Sequence, residues 1–152
     1  MYAKILLCYD GSREGRLALR EGARLAQITG AGVILLAVVE TVAGNALAQG
    51  VDAGALAHQQ ADFKAILDEG HQRLSAMGLA PEVRVEFGDP VAAITHVATE
   101  TGADLVVVGH HKQGFWTRWM SRSVAAALGD SLGCSLLLAQ KIVEDSELFR
   151  DT

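Results

Sequence analysis

Four apolar runs constrain the fold of this chain more than any other feature. They are AKILLCY (Ala3 to Tyr9), GVILLAVV (Gly32 to Val39), DLVVVG (Asp104 to Gly109) and CSLLLAQ (Cys134 to Gln140). A strand with one wet face alternates polar and apolar residues. Runs this short that hardly alternate belong to strands covered on both faces, as in a parallel sheet. A fifth run, EVRVEF (Glu82 to Phe87), does alternate, setting Val83, Val85 and Phe87 against charged residues. It predicts an edge strand with one wet face.

Helical spacing fills the gaps between these runs. The first helix begins near Ser12 or Arg13, repeats Ala18, Gly22 and Leu25 on one face, and stops at Gly30, a suitable left-handed terminus. The second carries Phe63, Ile66, Leu67, Gly70, Leu74 and Met77, with Gly78 to end it. In the third, Asp89 is the N-cap and Pro90 the first helical residue, followed by Val91, Ile94, Val97 and Ala98. The fourth follows Ser121 and presents Val124, Leu128 and Leu132. Between Thr41 and Gln60 small residues predominate without a period, which predicts a mobile loop or a fraying helix start. The order βαβαβαβαβ predicts an α/β fold: a doubly wound parallel sheet with helices on both faces. ITGAGVILLAV and ETGADLVVVG, which share Thr-Gly-Ala before a two-sided strand, read as one helix-to-strand turn used twice.

Length and charge bound the function classes. At 152 residues the chain suffices for one domain, read as residues 1–140 with a charged tail over 141–152. A net charge of −5 argues against wrapping nucleic acid. No apolar run reaches the roughly 18–20 residues a membrane-spanning helix needs. The first residues carry no small-residue cleavage site, so the expected location is cytoplasmic. Cys8 and Cys134 lie in or beside apolar runs and read as buried, inert thiols.

In open α/β sheets, ligands sit at the carboxyl ends of the strands where successive connections diverge. With strand order 3-2-1-4-5, that place lies between the first and fourth strands. YDGS (Tyr9 to Ser12) and GHHKQGFW (Gly109 to Trp116) are delivered there. Asp10 and Ser12 serve either as turn and N-cap residues or, through the Asp10 carboxylate, as a receiver of ribose hydroxyls. His110 and His111 are adjacent and diverge, so packing or hydrogen bonding is expected rather than metal ligation. Phe115, Trp116 and Trp119 read as a plug against the sheet or as an anchor for a partner. No Gly-x-Ser-x-Gly elbow, Walker loop or zinc-helix motif is present, and no catalytic residue is predicted.

KILLCYDGSREGRLAL, VILLAVVE, GADLVVVGHH and LGCSLLLAQ, in this order and spacing, together resemble a universal stress protein domain from Met1 to about Gln140. The resemblance implies a five-stranded parallel sheet in a cytoplasmic homodimer of stress adaptation, with the last strand, Ser135 to Gln140, pairing across the interface. It also implies a position for a nucleotide, because Asp10 and Val38 match the family's ribose and adenine positions. Nucleotide-binding members carry Gly-x2-Gly-x9-Gly-Ser/Thr after the fourth strand. With Gly109 as the first glycine, Lys112 and Arg122 replace the other two, while Ser123 keeps the hydroxyl and Val124 follows. The loop GHHKQGFWTRWMS is similar to that of the A-like branch, which is not expected to hold ATP. The resulting expectation is a non-catalytic protein without a cofactor, acting through protein partners, with Asp10, Val38, Gly109, Ser123 and Val124 as a remnant nucleotide site. The alternative is a switch that binds ATP or AMP, drawn to Lys112, Arg118 and Arg122 by charge. Bulky residues in place of glycine argue for the first reading, since they block close approach of backbone to phosphate.

Overall fold

The computed structural model describes residues 1–39, 53–109 and 122–140. Its elements are β1 (Lys4–Cys8), α1 (Arg13–Thr29), β2 (Gly32–Val39), α2 (Ala53–Ala76), β3 (Glu82–Phe87), α3 (Pro90–Thr101), β4 (Leu105–Gly109), α4 (Arg122–Ser131) and β5 (Ser135–Ala139). All strand pairs are parallel, and their order is β3-β2-β1-β4-β5, as the sequence predicts.

Side-chain alternation splits the core into two layers. Ile5, Leu7, Leu35 and Val107 face α1 and α2 on one side of the sheet. Leu6, Cys8, Leu36, Val106 and Val108 face α3 and α4 on the other. This explains the lack of alternation in β1, β2 and β4: both faces are covered, so both parities must be apolar.

The repeated Thr-Gly-Ala turns are alike in detail. Gly30 and Gly102 take left-handed backbone, with φ of 69° and 67°. The following alanine then donates its N–H back to the helix, Ala31 to the Ala26 carbonyl at 3.0 Å and Ala103 to the Ala98 carbonyl at 2.9 Å. Thr29 and Thr101 bond the carbonyls of Leu25 and Val97 through their hydroxyls. One local solution ends both helices.

Asp104, just before β4, ties the start of β1 to the sheet. Its carboxylate accepts from the backbone N–H of Ala3 at 2.8 Å and of Lys4 at 3.1 Å. Lys4 in turn donates through Nζ to the Thr101 carbonyl at the end of α3. The Ala3 hydrogen bond, helped by that of Lys4, holds the Asp104 carboxyl below its ordinary value. A depressed carboxyl stabilises the fold fully above the unfolded value, near 3.9, and loses that contribution as pH falls through the folded value. Asp104→Asn is therefore expected to cost about 1 kcal/mol at neutral pH. The deficit should shrink on acidification below about pH 4. Urea melts at several pH values check this, and a deficit independent of pH would refute it.

One expectation is met in its second form and one needs correction. Of the loop or helix start expected between Thr41 and Gln60, Ala53 to Gln60 form the helix start, the first two turns of α2, and the rest of the segment lies outside the described residues. The edge strand β3 has two wet faces rather than the one that alternation suggests. Val83, Val85 and Phe87 are 40%, 40% and 54% exposed, whereas Arg84 is only partly exposed beneath its carboxylate partners. Both faces of β3 meet solvent, because α2 lies over β2 and leaves a gap above the edge.

Candidate functional site

The registers assemble the predicted site at the carboxyl ends of the strands. β1 pairs with β2 in steps that end at Cys8 with Leu36, so two further residues bring Asp10 level with Val38. The β1–β4 register, extended by two, sets Gly109 beside Tyr9. Val38, Asp10 and Gly109 thus come from three adjacent strands at the point where connections diverge, since α1 and α4 leave for opposite faces.

Asp10 is built into the entrance of α1. Its Oδ1 accepts from the Ser12 backbone N–H at 2.9 Å and from the Ser12 hydroxyl. Ser12, the N-cap, accepts in turn from the Gly15 N–H at 2.9 Å. This satisfies helix-start donors and sets a carboxylate at the positive end of the helix. Gly15 is what lets the carboxylate approach, because a Cβ there would lie 2.4 Å from Oδ1. The turn role of Asp10 is therefore real.

The other predicted residues divide. Val38 is buried in the layer that faces α3 and α4. Gly109 closes β4 opposite Ala139, and Val124 packs partly buried against the same layer. Ser123 lies in the first turn of α4, which begins at Arg122. Arg122 occupies the third glycine position of the nucleotide pattern in helical backbone, a conformation open to any residue. His110, His111, Lys112, Phe115, Trp116, Arg118 and Trp119 lie outside the described residues, as does the tail over 141–152. Among the described residues no group of three His, Cys, Asp or Glu side chains is placed to hold a metal ion.

Cys8 is buried, and desolvation, with a smaller push from the Asp10 charge, drives its thiol far up. Cys134 is partly buried and also raised, by burial and then by Asp104. A thiol held protonated is a poor nucleophile, so neither has the environment of a reactive cysteine.

Sequence reasoning missed a cluster beside Asp10. Tyr9 is fully buried, with its ring against Gly70 of α2, where a Cβ would come within 2.8 Å of the ring. Burial raises its phenol, while the nearby Arg16 guanidinium opposes this. The hydroxyl has no well-aligned hydrogen bond. Arg16 and Arg73 both reach Glu69, at 3.1 and 2.9 Å. Burial pushes the Glu69 carboxyl up, but these two cations prevail and hold it below its ordinary value. The cluster clamps α1 to α2 across the end of β1. Its only sequence trace is Gly70 in an otherwise good helix.

A second missed feature is the gap between α2 and β3, a cavity of about 420 Å³ floored by Val39 and walled by Phe63, Leu67 and the apolar side of β3. The alternation of β3 was its signal.

Comparison with known proteins fits this geometry. The model of the universal stress protein family matches residues 1–140. Universal stress protein Sll1654 of Synechocystis sp. (strain ATCC 27184 / PCC 6803 / Kazusa) is 32% identical over 138 residues, covering 91% of this chain and 85% of that protein. Among solved structures, universal stress protein UspA from Lactobacillus plantarum aligns with a TM-score of 0.76 at 22% identity, over 91% of this chain and 98% of that one. A universal stress protein in complex with cAMP aligns with a TM-score of 0.70 at 24% identity, over 93% and 99% of the two chains. These two structures share the fold.

Proposed function

Because the chain belongs to the universal stress protein family, we propose that it is a non-catalytic stress-adaptation protein, a cytoplasmic homodimer that acts through protein partners and holds no triphosphate. The observation that carries this reading is the replacement of two family glycines by Lys112 and Arg122. A phosphate at a helix N-terminus is held by backbone N–H groups that it must approach closely. Glycine at those two positions would leave phosphate free to approach the backbone; lysine and arginine are bulky substitutes there, and attraction by their charge does not replace close backbone contact.

The homodimer in this reading forms through β5. That strand ends the sheet, and Leu136, Leu137 and Leu138 remain only partly buried. Apolar side chains on both faces of a strand that nothing pairs on its outer side among the described residues favour pairing with a second copy.

A second reading has a specific observation behind it. Val38 and Asp10 are level and Gly109 stands beside the preceding Tyr9, at the ends of three adjacent strands where connections diverge, which suits a nucleoside, and a protein of this fold was solved in complex with cAMP. In this reading the chain retains an adenine-nucleotide pocket and works as a switch.

Calorimetric titration of the purified protein with ATP, AMP and cAMP, beside mass analysis of small molecules released on denaturation, separates the two. The expected result is no saturable heat for any nucleotide and no co-purified adenine compound. Micromolar binding that is lost in Asp10→Ala would overturn the first reading and establish the second.

A further inference from the structure

The edge formed by β3 and α2 has three properties that together define an occupant. First, β3 ends the sheet, and among the described residues nothing pairs with its outer side. An edge of this kind offers a row of backbone donors and acceptors to an added strand. Second, the face of β3 toward α2 is apolar yet open. Val83, Val85 and Phe87 are 40–54% exposed and continue into the cavity lined by Phe63 and Leu67. Side chains from a strand laid beside β3 would project into this cavity at every second residue. Third, the opposite face of β3 is acidic. Arg84 is shared by Glu82 at 3.3 Å, Glu86 at 3.9 Å and Glu100 at 2.6 Å, so three carboxylates surround one guanidinium. On the apolar side the charges at the rim, Lys64 and Asp68, offset each other.

We infer that this edge is a docking site for an extended peptide segment of a protein partner, added as a strand beside β3, with apolar residues toward α2 and basic residues toward α3. The backbone ladder supplies the attachment, the cavity selects apolar residues at alternate positions, and the surplus of carboxylates selects lysine or arginine between them. The site is at the opposite edge of the sheet from β5, so it does not depend on pairing through β5 or on whether a nucleotide binds.

The test uses the full chain and a fluorescein-labelled, acetylated heptapeptide that alternates lysine with valine. Saturable binding in the micromolar range is expected by fluorescence polarisation, with amide-exchange protection confined to β3. Val85→Lys sets a charge on the apolar face and is expected to weaken binding about ten-fold or more. Glu82→Lys alters only the acidic face and should weaken it less, which keeps the test open if Val85→Lys fails to fold. A peptide with glutamate in place of lysine should bind about ten-fold more weakly, and N-methylation of alternate backbone amides should abolish binding. Equal affinity for the glutamate peptide would remove the charge argument, and undiminished binding of the N-methylated peptide would point to a pocket for apolar molecules instead. Self-association that is lost in Val85→Lys without peptide would assign the edge to a second copy of the chain. Any of these three results, or no binding of the lysine–valine peptide, overturns the proposal.

Discussion

Tyr9→Ala is expected to destabilise the protein by about 3–5 kcal/mol, whereas Tyr9→Phe should change stability by less than about 1 kcal/mol. Tyr9 is the largest fully buried side chain described. Its ring fills the corner between β1, α1 and α2, and Gly70 leaves room for that ring and for Leu35 beside it. Alanine would leave a void that helix α2 cannot close without breaking its contacts with β2. The hydroxyl, by contrast, has no well-aligned partner, so its loss removes little. For a domain of this size the alanine variant should melt about 6–20 °C lower. Calorimetry of both variants checks the claim, and equal losses would mean that the hydroxyl, not the ring, holds the corner.

Gly22→Val is expected to cost about 2–4 kcal/mol for the opposite reason, too much volume. A Cβ at Gly22 would lie 2.2 Å from a terminal carbon of Leu7 and 3.3 Å from Val107. Leu7 and Val107 are each 1% exposed, so neither has space to turn into. α1 would have to lift from the sheet. Gly129 provides the contrast, since it is also helical but a Cβ there meets nothing within 4 Å. Gly129→Ala should stabilise by about 0.5–1 kcal/mol through helix propensity. The two variants should therefore move the melting temperature in opposite directions. A stabilised Gly22→Val protein would show that α1 packs less tightly than these distances require.

These contrasts also explain what could be read without coordinates. The two-sided strands β1, β2 and β4 were legible because burial on both faces removes alternation, β5 being apolar on both faces though only partly buried at the edge, and the Thr-Gly-Ala turns were legible because left-handed backbone favours glycine. The start of α2 was legible only as one of two alternatives, loop or helix start. Gly54, Ala57, His58 and Gln60 are exposed, so these turns impose no pattern on their residues. Apolar periodicity records contact, not helix. The same limit applied to β3, where alternation shows that two faces differ but not which of them a helix covers. At the site, Asp10, Val38 and Gly109 could be placed because strand ends and sheet order suffice to locate them. Tyr9 and its neighbours could not, because Arg16 meets Glu69 across 53 residues of sequence and no spacing rule connects them.

The placement of β1 in the middle of the sheet bears on how the chain is made. One neighbour of β1, the strand β4, is made 100 residues after it, as in the pairing of Ile5 with Leu105. At about 5–20 residues per second, synthesis leaves that side of the strand bare for about 5–20 s. Until then Ile5, Leu6 and Leu7, buried in the finished fold, lack the strand that pairs with them on that side.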